Sequence, residues 1–304
     1  MTNRTEIKPA RYNGDTVFPS TPAALVTGAS SGIGVYYAKE LARRGYPVIL
    51  VSNQEKEIKE IAREIAAETG CADLTPVAET AAAGGAPLRF DNGQLPQSDR
   101  WVMGLYKDLA REDAAETLFD FYPHIEVLIN NAGIFIFRDT ADCSTGKIET
   151  ILNLHILTVT KLCRLYGQQM KENKKGYILN MSSISAHTPF PGISLYTATK
   201  SYILTFSKAL RYEMSESGVK ILVVAPGAVA TDLYNLPPNL QRLGMRLGII
   251  YNPQKLAKKA LNRLFKGKRI FIPGMINRLF SPVFALLPGC AVLWIRKKTR
   301  RFMK

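Results

Sequence analysis

Cysteine, histidine and tryptophan are scarce in this chain, with four, three and two residues among 304. Cys71, Cys143, Cys163 and Cys290 contain no CxxC pair and do not cluster with the histidines. That excludes a zinc ribbon or a disulfide framework, leaves no metal site to expect, and suits a reducing compartment. An apolar leader is also lacking: Arg4, Glu6, Lys8 and Arg11 interrupt residues 1–22, so no secretory signal is expected. Most telling is the absence of acid from the last quarter. No Asp or Glu follows Asp232, whereas residues 233–304 hold 16 Lys and Arg. Residues 1–232 carry 24 basic side chains against 25 acidic ones, so the whole excess behind the net charge of +15 lies beyond them. Charge confined in this way points to local contact with an anionic surface rather than to a nucleic-acid binder. An aliphatic run inside the basic tail weakens the nucleic-acid reading further, and no nucleic-acid partner is expected.

What is present is a chain with 46% apolar residues, enough to bury a core. Short apolar runs at 23–26, 47–51, 102–106, 127–130, 177–181, 221–225 and 269–272 alternate with helical periods at 33–44, 54–68, 113–122, 148–172, 196–217 and 254–266. Strands that are apolar throughout, separated by helices and without hairpin turns, predict an α/β fold: a Rossmann-like doubly wound parallel sheet of about seven strands with helices on both faces. The expected organisation is a polar leader (1–22), one domain (23–274) carrying an insertion loop rich in Ala, Gly and Pro (70–100), and an apolar, then polybasic, appendage (275–304).

Two groups of residues carry chemistry. Thr27-Gly28-Ala29-Ser30-Ser31-Gly32-Ile33-Gly34 lies between the first strand and the first helix. Glycines there let the backbone turn tightly and approach a pyrophosphate, and the helix start offers free N–H groups. Glycine turns are common, so it is the position between strand and helix that gives the motif weight. Tyr196 and Lys200, in Tyr-Thr-Ala-Thr-Lys, are four apart and share a helix face. An ammonium beside a phenol favours the phenolate and makes the tyrosine a usable general acid/base. Ser183, thirteen residues upstream of Tyr196, closes a strand from which its hydroxyl can steady charge on a substrate oxygen.

In these residues and their order the sequence resembles the short-chain dehydrogenase/reductase superfamily, in its single-domain TGxxxGxG branch, over about residues 23–272. Further motifs carry the likeness: Asn130-Asn131-Ala132-Gly133, Asp108-Leu109, and Pro226-Gly227-Ala228-Val229-Ala230-Thr231. The resemblance implies hydride transfer between a nicotinamide cofactor and a carbonyl or alcohol carbon. It assigns Ser183, Tyr196 and Lys200 as catalytic residues, with Asn153 as the asparagine holding a water in a proton relay to the lysine. The implied cofactor-binding residues are Gly28, Ser30, Ser31, Gly32, Ile33, Gly34, Asn53, Asp108, Leu109, Asn131, Ala132, Gly133, Tyr196, Lys200, Pro226, Gly227, Val229 and Thr231.

The second strand ends in Ser52-Asn53, with neither the acid that selects NAD nor an arginine for a 2′-phosphate. With no carboxylate to repel phosphate, NADP(H) is favoured over NAD(H). Ile184, Pro189, Phe190, Pro191 and Ile193, together with Leu233, Tyr234, Leu236, Leu240 and Leu243, suggest a hydrophobic, long-chain or sterol-like ketone as substrate. Residues 279–295 carry no charge and precede Arg296-Lys297-Lys298-Thr299-Arg300-Arg301. Seventeen residues interrupted by Pro282, Pro288 and Gly289 suit an element lying on an anionic leaflet better than one spanning it. The expectation is a cytoplasmic enzyme, peripheral on a membrane and homo-oligomeric. Its rival is a non-catalytic NAD(P)-binding protein anchored by the same tail, which would have no need of Ser183, Tyr196 and Lys200.

Overall fold

The computed structural model describes residues 22–78, 100–187, 190–231, 250–274, 277–278 and 288–299. The leader, the centre of the 70–100 insertion, Pro189, the apolar run after Asp232 and residues 279–287 of the tail lie outside them.

Among the described residues eight parallel strands form one sheet: β1 Ala23–Thr27, β2 Val48–Ser52, β3 Ala72–Asp73, β4 Trp101–Tyr106, β5 Ile125–Asn130, β6 Gly176–Met181, β7 Val219–Val224 and β8 Ile270–Phe271. Their order is β3-β4-β2-β1-β5-β6-β7-β8. The helices are α1 Gly32–Arg43, α2 Glu55–Thr69, α3 Ala114–Phe121, α4 Thr145–Leu152, α5 Thr158–Glu172, α6 Ser194–Glu213, α7 Pro253–Phe265 and α8 Gly289–Thr299.

The apolar strand runs have a simple cause. Side chains alternate across a strand, and here both faces are covered, so most positions are apolar and the polar ones fall mainly towards strand ends. Ala24 and Val26 of β1 enter one core with Tyr37 and Leu41 of α1, Ile58 and Ile65 of α2, and Leu256 and Leu261 of α7. Ala23 and Leu25 enter the other, with Leu118 of α3, Leu162 and Tyr166 of α5, and Ile203 and Leu210 of α6. Strand order reverses between β1 and β5, which opens a crevice at their C-terminal ends. The turns leaving β1, β2, β4, β5, β6 and β7 all reach that crevice.

Two features depart from the expected elements. The sheet gains β3, a two-residue strand pairing Ala72 with Trp101 and Asp73 with Val102, inside the stretch read as an insertion loop. The helix expected over 148–172 is continuous but not uniform. A π-helical turn, Asn153–Leu157, separates α4 from α5. Such turns widen a helix by one residue and are frequent at functional sites.

Candidate active site

A cavity of about 460 Å³ follows the crevice, within the size range of small-molecule sites. At one end, Gly28, Ser30, Ser31, Gly32 and Ile33 form the turn into α1. Gly28 has φ +64°, and a Cβ there would come within 2.7 Å of the Ala132 backbone. Only glycine lets the two turns meet so closely. The turns are bolted together by polar side chains. Thr27 Oγ1 accepts from the backbone N–H groups of Asn131 and Ala132, each at 3.0 Å. The Asn131 amide donates to the carbonyls of Thr27 (3.0 Å) and Gly28 (3.1 Å). Gly34 lies beneath this turn, hard against the Gly28 carbonyl.

Ser52, Asn53, Gln54, Lys107, Asp108 and Leu109 line the cavity beside the β2 and β4 ends. Ser52 and Ser30 hydroxyls are 2.7 Å apart, and Ser30 donates to the Gln54 side chain at 2.6 Å, an uncharged floor beneath exposed Asn53. Lys107 is the cation of this group, held beside Ser52 because its N–H donates to the Ser52 carbonyl at 2.8 Å. No arginine or lysine adjoins Ser52-Asn53 in sequence; this one arrives from β4 by strand pairing.

At the other end stand Ser183, Tyr196, Lys200, Pro226, Gly227, Val229 and Thr231. Tyr196 and Lys200 are buried in α6, with the lysine ammonium 5.6 Å from the phenol ring centre. Lys200 Nζ donates to the Met181 carbonyl at 3.0 Å. Burial lowers the Lys200 pKa to about 8, because removing an ammonium from water disfavours its charged form. Ser183 Oγ accepts from the N–H and hydroxyl of Ser185, at 3.2 and 3.0 Å. Phe135 packs edge-on against Tyr196 at 5.1 Å and stacks with Phe137, giving the approach to the phenol an aromatic wall that sequence reading did not single out.

Asn153 is not brought to this group. It lines a separate surface depression with Arg111, Asp113, Glu116 and Lys161. Two residues further along lies His155, on the opposite side of the helix and 1% exposed. Its Nε2 accepts from the Ile134 N–H at 3.0 Å, so the imidazole proton resides on Nδ1, 2.9 Å from Thr199 Oγ1. Thr199 Oγ1 in turn donates to the Tyr196 carbonyl at 2.8 Å. Burial, then the Lys200 charge, hold the His155 pKa well below the usual histidine value, and the ring stays neutral. Its centre lies 5.9 Å from that of Tyr196, and a Cβ on Gly133 would fall 2.9 Å from Nε2. His155 is thus the helix side chain that joins the β5 turn to the Tyr196–Lys200 turn, and the relay role of Asn153 is a proposal separate from it. Residue spacing alone cannot say which side of a helix a residue takes, particularly where a π turn shifts the phase.

The family model for short chain dehydrogenases matches residues 22–83 and 94–237, and the chain belongs to that family. It is 31% identical over 214 residues to the 17-beta-hydroxysteroid dehydrogenase type 3 of Mus musculus, covering 69% of this chain and 61% of that protein. The very-long-chain 3-oxoacyl-CoA reductase of Anas platyrhynchos is 30% identical over 287 residues, covering 91% of this chain and 80% of its own length. Among solved structures, a short-chain dehydrogenase from Sphingobium yanoikuyae in complex with NADPH superposes with a TM-score of 0.66 at 27% identity, over 83% of this chain and 87% of that one.

Proposed function

We propose that this chain is an NAD(P)H-dependent oxidoreductase that interconverts a ketone and a secondary alcohol, reducing a hydrophobic ketone. The observation that carries the reading is the buried Tyr196–Lys200 pair, facing the end of a cavity whose other end is a glycine turn. The residues present fit a dinucleotide. The turn at Gly28 leaves no room for a side chain, and Ser31, Gly32 and Ile33 put the open start of α1 against the cavity. Asp108, Leu109, Asn131, Ala132 and Gly133 would flank the bound group, and Pro226, Gly227, Val229 and Thr231 would close over its nicotinamide end.

When bound, the cofactor supplies the hydride. Tyr196 Oη holds the proton that the substrate oxygen gains. Lys200, charged below about pH 8, steadies the phenolate left behind and would also hold ribose hydroxyls. Ser183 Oγ donates to the same substrate oxygen as charge builds there. His155 acts as a positioning residue, a neutral strut keeping the β5 turn in register with α6. Phe135, edge-on to Tyr196 and stacked with Phe137, supports an apolar substrate over a sugar.

NADP(H) is the preferred form in this reading, because Lys107 offers a cation beside Ser52 and Asn53 where a 2′-phosphate needs one. The chain would work on the cytoplasmic face of an anionic membrane. Among the described residues no helix is long and apolar enough to cross a bilayer. The support for surface contact is α8, which exposes Leu293 (64%) and Trp294 (62%) beside Arg296, Lys297 and Lys298. Arg296 pairs with Asp139 at 2.8 Å, two residues beyond Phe137, so α8 docks next to the aromatic approach to Tyr196. The test is a panel of ketones, from sterol to long-chain 3-oxoacyl, followed by NADPH and NADH absorbance. Tyr196→Phe should abolish turnover while cofactor binding survives; near-normal kcat in that variant overturns the assignment.

A further inference from the structure

A second hollow, of about 610 Å³, runs between α7 and the chain around β8. Lys259, Arg263, Lys266, Lys268 and Arg278 line it, all of them exposed. Among the described residues no carboxylate lines the hollow and none of the five makes an ion pair. Five like charges converging on one recess repel one another and oppose the compact state unless an anion joins them. Two are already held in place: Arg263 lies 4.7 Å over the Phe271 ring and Lys259 5.9 Å over Tyr251. Cations fixed by stacking lose less freedom on meeting a ligand, so the recess is organised for a compact, multiply charged anion.

The hollow shares a wall with the active-site cavity. Tyr251 pairs with the 228–230 backbone, its N–H donating to Ala228 at 2.9 Å and its carbonyl accepting from Ala230 at 3.1 Å. Val229, within that segment, lines the cofactor cavity. Asn277, next to Arg278, packs on Gly227 so closely that a Cβ there would meet its amide at 2.7 Å. A substrate whose reacting end lies at Tyr196 therefore has a cationic recess on the far side of the segment that closes the site.

We propose that this recess binds the phosphate-bearing end of a coenzyme A thioester, which makes the ketone a 3-oxoacyl group carried on coenzyme A. The inference rests on the reading of the site as a hydrophobic-ketone reductase and narrows it. Coenzyme A carries a pyrophosphate and a ribose 3′-phosphate at the end remote from its thioester, whereas a sterol ketone has no anion to meet these cations. A flat bilayer would touch the rim of a recess but leave its walls unmatched.

Full-length protein saturated with NADPH, so that the dinucleotide cavity is filled, is titrated with coenzyme A by calorimetry. The double variant Arg263→Glu with Lys266→Glu should weaken binding by on the order of tenfold to a hundredfold. The milder Lys266→Gln with Lys268→Gln should weaken it in the same direction and guards against misfolding of the first. In turnover, KM for a 3-oxoacyl coenzyme A should rise in both variants, while KM for the same acyl group on N-acetylcysteamine stays unchanged. Equal coenzyme A binding by wild type and variants, or none by wild type, overturns the proposal. So does loss of binding to phosphatidylserine vesicles with coenzyme A binding unaffected, which would make the recess a bilayer contact. If coenzyme A binding follows the recess but no ketone is reduced, the recess assignment holds and the reductase reading falls.

Discussion

The role proposed for Lys200 comes at the expense of stability, and that conflict is measurable. The folded chain buries an ammonium whose charge is compensated by the Met181 carbonyl and lowers its pKa from 10.5 to about 8. Below pH 8 both folded and unfolded chains keep the proton, and the folded one carries the full desolvation penalty, about 3 kcal/mol. Between pH 8 and 10.5 the folded chain releases the proton while the unfolded chain retains it, so the penalty shrinks as pH rises. Lys200→Met keeps the volume and removes the charge, but leaves the Met181 carbonyl without its donor, a loss of about 1 kcal/mol. The net expectation for the cofactor-free protein at pH 7 is a gain of about 2 kcal/mol, or about 5 °C in Tm. Thermal melts of both proteins at intervals from pH 6.5 to 9.5 should show the gap closing as pH rises, while turnover in the variant is lost throughout. A Met variant less stable than wild type at pH 7, or a gap that does not change with pH, refutes the account of Lys200 as a cation whose burial costs more than its one hydrogen bond returns.

Lys107→Glu should lower kcat/KM for NADPH by about tenfold or more relative to NADH, since a charge-assisted contact to the 2′-phosphate becomes a repulsion; an unchanged ratio removes Lys107 from the cofactor site. Asn53→Asp should move the ratio the same way by placing a carboxylate at the β2 end. His155→Leu leaves the Ile134 N–H buried without its acceptor, so stability should fall by about 1–3 kcal/mol and kcat should fall with KM for substrate little changed; a kcat equal to that of wild type would make His155 a packing residue only. Deleting residues 275–304 should release the protein from anionic vesicles in a sedimentation assay while activity on a short soluble ketone survives; loss of that activity would place the tail over the cleft.

The parts of this molecule legible from sequence are those whose physics is local. A strand buried on both faces is mostly apolar, so β1, β2, β5, β6 and β7 announce themselves as short apolar runs within a residue or two of their ends. A pyrophosphate turn needs its glycines in one octapeptide, and a phenol beside an ammonium on one helix face needs a spacing of four. What escaped the sequence is what pairing across the sheet supplies. Two-residue β3 exists only because Ala72 and Asp73 find Trp101 and Val102. Lys107 meets the end of β2 because β2 and β4 are neighbours in the sheet order though not in sequence.

His155 shows the same limit in its sharpest form. Spacing between motifs locates the helix and Asn153 on it but gives no signal for His155, because distance along a chain carries no information about helix phase. His155 lies within the π turn, and there Ile134 from the β5 turn and Thr199 from α6 hold the imidazole from two sides. Asn153 lines a depression together with Asp113 and Lys161. The basic recess follows the same logic. Its cations come from α7, from the loop after it and from Arg278, and in sequence they are only part of a long carboxylate-free stretch. Folding turns that diffuse excess into a directed one, by stacking two of the cations on Phe271 and Tyr251 and anchoring Tyr251 to the segment that borders Tyr196's cavity. Charge composition can therefore indicate that an anion is expected somewhere in the last quarter, but only the pairing of Tyr251 with residues 228–230 joins the recess for that anion to the segment bordering the active-site cavity.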